Sequence, residues 1–166
     1  LPAAPGHAQV GAFFLRVPGG RWELTGGYAV AVTDEPVVLT AGEGLVGQAG
    51  GTGETVLVTG VPDDYLRIRS GTGSGTPRSV VVLPVPFEGE SLGVVEFGSV
   101  APFSPLHLAF LERLVATIGV ALATIQANRR TEELLAQSQG LATELQHQSA
   151  ELQRANAELE DKAREL

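Results

Sequence analysis

The sequence predicts an α+β domain with a central antiparallel sheet and helices on both faces, followed by a long C-terminal helix that forms a coiled coil. Three observations predict this fold class. Two pairs of β-favouring segments flank turn residues that are typical of β-hairpins. Every Phe, Trp and Tyr lies between Phe13 and Phe110, and no proline follows Pro105. We therefore assign residues 1–125 to a globular domain and residues 126–166 to a helical linker.

The composition excludes several classes of function. With 166 residues, 43% of them hydrophobic, the chain is long enough for one core of ordinary size. A formal net charge of −8 has the wrong sign for binding phosphate backbones, so we expect no nucleic-acid partner. Because cysteine is absent, disulfides, thiolate metal sites, a cysteine nucleophile and a thioether-linked chromophore are excluded. The same absence suits a reducing cytoplasm, where we place the chain.

The ends of the chain suggest that it belongs to something longer. It begins at Leu1 and contains no methionine, so we expect it to be part of a larger protein. No run approaches the roughly 18 consecutive apolar residues of a membrane span, and the N-terminus lacks the basic start of a signal peptide. We therefore expect no membrane contact in this segment, and the larger protein could still carry an anchor elsewhere.

The first β-hairpin is predicted near the N-terminus. Val10–Val17 and Arg21–Val32 are β-favouring runs joined by the turn sequence Pro18-Gly19-Gly20. Thr55–Thr59 is predicted as a single strand between the two hairpins, and Gly42–Gly53 as one short helix with a loop.

The second β-hairpin is predicted by Ser79–Phe87 and Ser91–Val100, which flank the three-residue connection Glu88-Gly89-Glu90. Pro84 and Pro86 remove two backbone donors at alternate positions, so one side of this strand should be unpaired or irregular. Between the single strand and this hairpin, Pro62-Asp63-Asp64 predicts a one-turn helix and Ser70–Pro77 a long flexible loop of the kind that carries binding functions.

The long helix begins with Ser104 as N-cap and Pro105 at the first helical position, and it is predicted to continue to Leu166. One apolar stripe along it should cover the domain's own sheet. It consists of Leu108, Leu111, Val115, Ile118, Leu122 and Ile125. A second stripe lies almost on the opposite side of the helix and should face another helix. Its apolar members are Leu134, Leu141, Leu145, Leu152, Ala155, Leu159 and Leu166.

The second stripe predicts a parallel homodimer of limited stability. Leucine repeats at one heptad position, whereas the other position also holds Gln148 and Lys162, and polar residues there weaken a coiled coil. Such a coil could change register or rotation. The alternative is a solvated linker helix without a partner.

These segments together resemble a GAF domain followed by a signalling helix. The resemblance rests on Gly42–Gln48, Val58–Pro62, Val82–Val85 with Leu92–Glu96, and Phe103-Ser104-Pro105. The linker resembles the coil that precedes the kinase core in bacterial hybrid sensor histidine kinases. It does so at Arg130–Leu135 and from Glu151 to Glu160.

The resemblance implies a sensory and dimerisation module of a bacterial two-component sensor kinase, with a small-molecule pocket on one face of the sheet. It implies downstream histidine kinase domains in the same larger chain. The signature of cyclic-nucleotide GAF domains is absent, and without cysteine no bilin can attach, so no cofactor is predicted. The alternatives are a structural spacer without a ligand, or the input domain of a diguanylate cyclase or a serine phosphatase.

No catalytic or metal-binding constellation is predicted, so the chain itself is not expected to be an enzyme. His107 is interpreted as structural, His147 as a solvated coil residue and His7 as part of a frayed terminus. The candidate ligand contacts are the aromatic and basic residues of the globular part. They are Trp22, Tyr28, Tyr65, Arg67, Arg69 and Phe97.

Overall fold

The structure, a computed structural model, describes residues 8–29, 36–62, 67–70 and 73–164. Its strands are β1 (Val10–Val17), β2 (Arg21–Tyr28), β3 (Val38–Leu39), β4 (Val56–Thr59), β5 (Ile68–Ser70), β6 (Gly73–Gly75), β7 (Ser79–Phe87) and β8 (Glu90–Ser99). Its helices are α1 (Gly44–Thr52) and α2 (Pro105–Arg164). Six strands form an antiparallel sheet in the order β3-β2-β1-β8-β7-β4, and β5 pairs with β6 in a separate small sheet. This architecture confirms the predicted fold class.

Both predicted hairpins are present, and positive backbone φ angles explain their turns. Gly19 and Gly20 have φ angles of 87° and 70° between β1 and β2. Glu88 and Gly89 have φ angles of 48° and 85° between β7 and β8. The second connection is thus shorter than predicted, because Glu90 already belongs to β8. In the second turn, two consecutive positive φ angles suit the right-handed twist of a two-residue hairpin, whereas the first turn has three residues, Pro18, Gly19 and Gly20.

The prolines of β7 lie where its pairing is incomplete, as predicted. β4 pairs with β7 only from Ser79 to Val82, before Pro84 is reached. The pairing with β8 continues past Pro84, with an irregularity between Val85 and Pro86.

Other segments differ from the sequence predictions. Ser70–Pro77, predicted as an open loop, contains β6, which pairs with β5. In the first hairpin, β2 ends at Tyr28, and positions 30–32 of the predicted strand lie outside the described residues. Asp63 and Asp64 of the predicted one-turn helix also lie outside them.

Side chains alternate between the two faces of the sheet and build two separate cores. The core on the α1 side contains Ala12, Phe14, Trp22, Val46, Ala49, Val80, Val82 and Val94. The core on the α2 side contains Val81, Leu83, Val85, Val95, Leu111 and Val115. Successive valines of β7 therefore point in opposite directions, which is why this strand is buried on both faces and reads as a continuous apolar run.

A carboxylate organises the turn that precedes α1. The Thr40 backbone N–H and the Thr40 hydroxyl both donate to Glu43 Oε2, at 2.9 and 3.0 Å. These two hydrogen bonds, the backbone one first, lower the pKa of the Glu43 carboxyl below its ordinary value. The helix ends at Gly53, which has a left-handed φ of 73°.

The start of α2 is a reciprocal cap. The His107 N–H donates to Ser104 Oγ at 3.3 Å, and the Ser104 N–H donates to His107 Nδ1 at 3.2 Å. His107 thus takes the place of the acidic residue in a capping box. This arrangement confirms Ser104 as the N-cap and gives His107 a structural role.

The chain divides into two compact units, Leu1–Ala123 and Thr124–Leu166. In the first unit, the sheet-facing stripe of α2 is buried or half-buried from Leu108 to Leu122, as predicted. Its last predicted member, Ile125, is 52% exposed and lies in the second unit. By length and composition alone, α2 is apolar enough to cross a membrane. Helices that form the core of a domain meet the same criterion, and Leu111 and Val115 are buried in the domain's own α2-side core.

Candidate functional site

The predicted ligand residues do not gather around one described cavity. Trp22 is 3% exposed and belongs to the α1-side core. Phe97 packs against the core on the opposite face of the sheet, beside α2. The two aromatic rings therefore lie on opposite faces of the sheet and cannot line one pocket.

Two of the remaining candidates are exposed, one is placed only by its backbone pairing, and one lies outside the described residues. Tyr28, at the end of β2, is 72% exposed. Arg67 is exposed just before β5, and Arg69 lies within β5 opposite Ser74. Tyr65 lies outside the described residues. Their role in ligand binding stays a prediction.

A buried carboxylate on the α1 side was not singled out from the sequence. Glu96 is 8% exposed and lies opposite Ala12 on one neighbouring strand and Val82 on the other. Both partners belong to the α1-side core, so the carboxylate lies on that face. The available signal was the acidic residue within the run Leu92–Gly98. Glu96 makes an interaction within the structure, as buried charged side chains generally do.

The histidines and acidic residues offer no metal site in the described part of the chain. No group of three His, Cys, Asp or Glu side chains there is close enough to hold an ion. His147 Nδ1 lies 3.8 Å from Glu151 Oε1, and both side chains are exposed in the second unit.

The leucine stripe of the second unit is the most extensive exposed apolar feature described. Leu134 is 49% exposed, Leu141 60%, Leu145 and Leu152 65% each, and Leu159 64%. Ala155 is exposed as well and forms a shallow groove with Gln148, Glu151 and Leu152. Leu166 lies outside the described residues. Five large apolar side chains on one helix, spaced by four or seven residues, are typical of a surface that another helix covers.

The first unit has its own exposed apolar patch at the start of α2. Leu106 is 77% exposed and Phe110 is 65% exposed. With Ala8, Phe103, His107 and Leu111 they line an apolar cavity of about 420 Å³.

Comparison with known proteins identifies the fold. A family model for the GAF domain matches residues 3–123. No curated protein is a significant match to the chain.

Several solved GAF domains are similar in structure. One from a phosphoenolpyruvate-protein phosphotransferase of Coxiella burnetii has a TM-score of 0.59 and 21% identity, over 73% of this chain and 75% of that one. The GAF-B domain of DevS from Mycobacterium smegmatis has a TM-score of 0.59 and 20% identity, over 75% and 86%. The GAF domain of a two-component sensor histidine kinase from Bacillus halodurans has a TM-score of 0.57 and 18% identity, over 74% and 86%.

Proposed function

The chain belongs to the GAF domain family, and from this premise we propose that it is a sensory and dimerisation input module for a histidine kinase. In this proposal two copies associate in parallel through the second unit of α2. The state of the GAF domain biases the rotation of the two helices, which pass that bias to kinase domains further along the same protein. The module itself carries out no chemistry and works in the cytoplasm.

The observation that carries the proposal is the exposed leucine stripe. Leu145, Leu152 and Leu159 repeat every seven residues at the surface of one helix, and each is about two-thirds exposed. A 60-residue helix is not stabilised by helix propensity alone, so most of its stability must come from packing. Association of two stripes would bury these side chains and stabilise the helix.

The order of the two stripes along α2 supports a relay. Along α2, the sheet-facing stripe ends near Leu122 and the leucine stripe begins at Leu134. A rotation of the helix changes which residues face the sheet and which face the partner helix. Such an element has two arrangements that a ligand can bias, which is what a switch requires.

The solved structures that resemble the chain support its fold and leave the output open. Two of the three similar structures above are named for DevS and for a sensor histidine kinase, and the third for a phosphotransferase. The kinase assignment therefore rests mainly on the linker sequence from Arg130 to Glu160. A diguanylate cyclase or serine phosphatase output remains the alternative within the same signalling role.

Dimerisation is tested with the double variant Leu145→Ser/Leu152→Ser in sedimentation equilibrium. We expect the dimer dissociation constant to rise at least about 100-fold, because each substitution removes a buried leucine from both helices. The matched control is Leu135→Ser, which removes a leucine that is 59% exposed and lies one residue outside the stripe. An unchanged dimer in the double variant, or a wild-type chain that is monomeric, would contradict the proposal.

The relay is tested separately by fusing the chain to a dimeric histidine kinase core. One to seven alanines are inserted after Gly140, each of which rotates the following helix by about 100°. Autophosphorylation that rises and falls with a period of about seven insertions supports the relay. Output that does not depend on the insertion length favours a structural spacer.

A further inference from the structure

A cleft lies at the end of the sheet where β1 turns into β2 and β7 turns into β8. It contains features that neither dimerisation nor the GAF fold requires. Its volume is about 360 Å³. It is bounded by the end of β1, the start of β2, the last turn of α1 and the turn between β7 and β8. Binding sites for small molecules begin at about this size.

The cleft exists because its walls largely lack side chains. Five glycines line it: Gly20, Gly50, Gly51, Gly53 and Gly89. Gly20, Gly53 and Gly89 have positive φ angles that form turns and the end of α1. Gly50 leaves room for the Trp22 ring, since a Cβ there would lie 2.8 Å from Trp22 Nε1. Exposed backbone in a concave site permits close approach of a ligand.

A pair of opposite charges stands at this cleft. Arg16 Nη1 donates to Glu90 Oε2 at 2.7 Å, and both residues line the cleft. Their side chains are 40% and 69% exposed, so both retain access to solvent. The guanidinium has further N–H donors, and the carboxylate has a second oxygen.

An unsatisfied donor lies beside the charge pair. Trp22 is directly opposite Arg16 on the neighbouring strand, so the two side chains share a face of the sheet. Trp22 Nε1 is buried and has no hydrogen-bond partner among the described residues. A buried donor without an acceptor costs roughly 1–3 kcal/mol. The Gly50 backbone lies against the ring, so Nε1 is closed to solvent and the indole forms a wall of the cleft.

We propose that this cleft binds a small zwitterion of the α-amino-acid class, with its carboxylate at Arg16 and its ammonium at Glu90, beside the wall formed by Trp22. A simple anion at Arg16 would be repelled by the Glu90 carboxylate, and a simple cation at Glu90 by the guanidinium. A ligand that carries both charges close together satisfies both groups. The site does not depend on dimerisation, so its test is independent of the test of the leucine stripe.

The sole tryptophan of the chain is Trp22, so its indole N–H gives a single reporter signal in ¹H–¹⁵N NMR spectra. The chain is titrated with L-alanine, L-serine, L-leucine and L-glutamine. Propionate, which lacks the ammonium, and ethylamine, which lacks the carboxylate, are the matched probes. We expect a saturable shift of the indole signal with at least one amino acid, and a shift at least tenfold weaker in apparent affinity with propionate and ethylamine.

Two variants locate the binding. Arg16→Gln and Glu90→Gln should each weaken the amino-acid titration at least tenfold, while Arg78→Gln and Glu112→Gln, which change exposed charges elsewhere, should leave it unchanged. The amide spectrum of each variant verifies that it is folded. An indole signal that no amino acid moves would overturn the proposal. Equal shifts with propionate or ethylamine, or titrations insensitive to Arg16→Gln and Glu90→Gln, would overturn it too.

Discussion

The Trp22 ring lies directly against the backbone of Gly50, and a Cβ at Gly50 would fall 2.8 Å from Trp22 Nε1 and closer still to the ring carbons. Trp22 is 3% exposed and belongs to the α1-side core, so the ring has no free space into which to move. This contact fixes α1 against the first hairpin.

Gly50→Ala should therefore destabilise the domain even though alanine is the better helix former. Overpacking of this kind costs about 1–3 kcal/mol. The matched control is Gly51→Ala in the same helical turn, where a Cβ would lie 3.6 Å from the Ala41 Cβ, an ordinary contact. That control should be neutral or stabilise by up to about 1 kcal/mol. Urea denaturation followed by Trp22 fluorescence measures both, and equal stabilities of the two variants would contradict the packing.

Gly119 makes the corresponding contact on the other face of the sheet. A Cβ at this position of α2 would overlap the Pro86 carbonyl oxygen at the end of β7. We expect Gly119→Ala to lower the free energy of unfolding by about 1–3 kcal/mol. Gly140→Ala is the control, since nothing lies within 4 Å of its Cβ position and it should stabilise the helix by up to about 1 kcal/mol. Chemical denaturation that ranks Gly119→Ala as stable as wild type would refute the close approach.

The reciprocal cap at the start of α2 predicts a difference between two substitutions at His107. His107→Glu keeps an acceptor for the Ser104 N–H and completes an ordinary capping box, so its stability should match wild type within about 0.5 kcal/mol. His107→Ala and Ser104→Ala each remove one of the two hydrogen bonds and should cost about 1 kcal/mol. Thermal unfolding at neutral pH distinguishes these outcomes. Equal losses for His107→Glu and His107→Ala would show that the imidazole acts by packing.

The carboxyl of Glu43 should titrate below the ordinary value for glutamate. Its pKa is lowered by the Thr40 backbone N–H and then by the Thr40 hydroxyl. Because the pKa is lower in the folded state, the stabilisation is present above the unfolded pKa and is lost as the pH falls through the folded pKa. Thr40→Val removes the hydroxyl but keeps the backbone donor, so part of the lowering should remain. Carbon-detected NMR titration of the Glu43 carboxyl measures its pKa, and an unshifted pKa in the wild type would contradict the two hydrogen bonds from Thr40.

Local sequence signals predicted most of the fold. Gly19 and Gly20 marked one hairpin turn, Gly89 marked the other, and Ser104-Pro105 marked the start of α2. Each of these signals acts through the backbone conformation of the residue itself, so no distant contact is needed to interpret it. The short pairings of β3 and of β5 with β6 were missed, because strands of two or three residues carry too little periodicity to recognise.

The candidate site was harder to predict because it depends on which face of the sheet a side chain occupies. Trp22 and Phe97 looked equivalent as aromatic residues of β-strands, yet they belong to opposite cores. The partnership of Arg16 with Glu90 spans 74 positions and follows from the order of strands in the sheet, which local patterns do not give. The leucine stripe, by contrast, is a local pattern and was read from its spacing alone.

The central claim is that two copies associate in parallel through α2, and inter-spin distance measurements test it most directly. The chain has no cysteine, so Gln137→Cys and Gln153→Cys each introduce a single label site at an exposed position of the second unit. In a parallel, in-register dimer, both variants should give a short distance between identical labels, and the two distances should be similar. The sites are 16 residues apart, so an antiparallel pair would separate the labels along the axis by about 24 Å or more in at least one variant. That result, or the absence of any inter-label distance, would contradict the account.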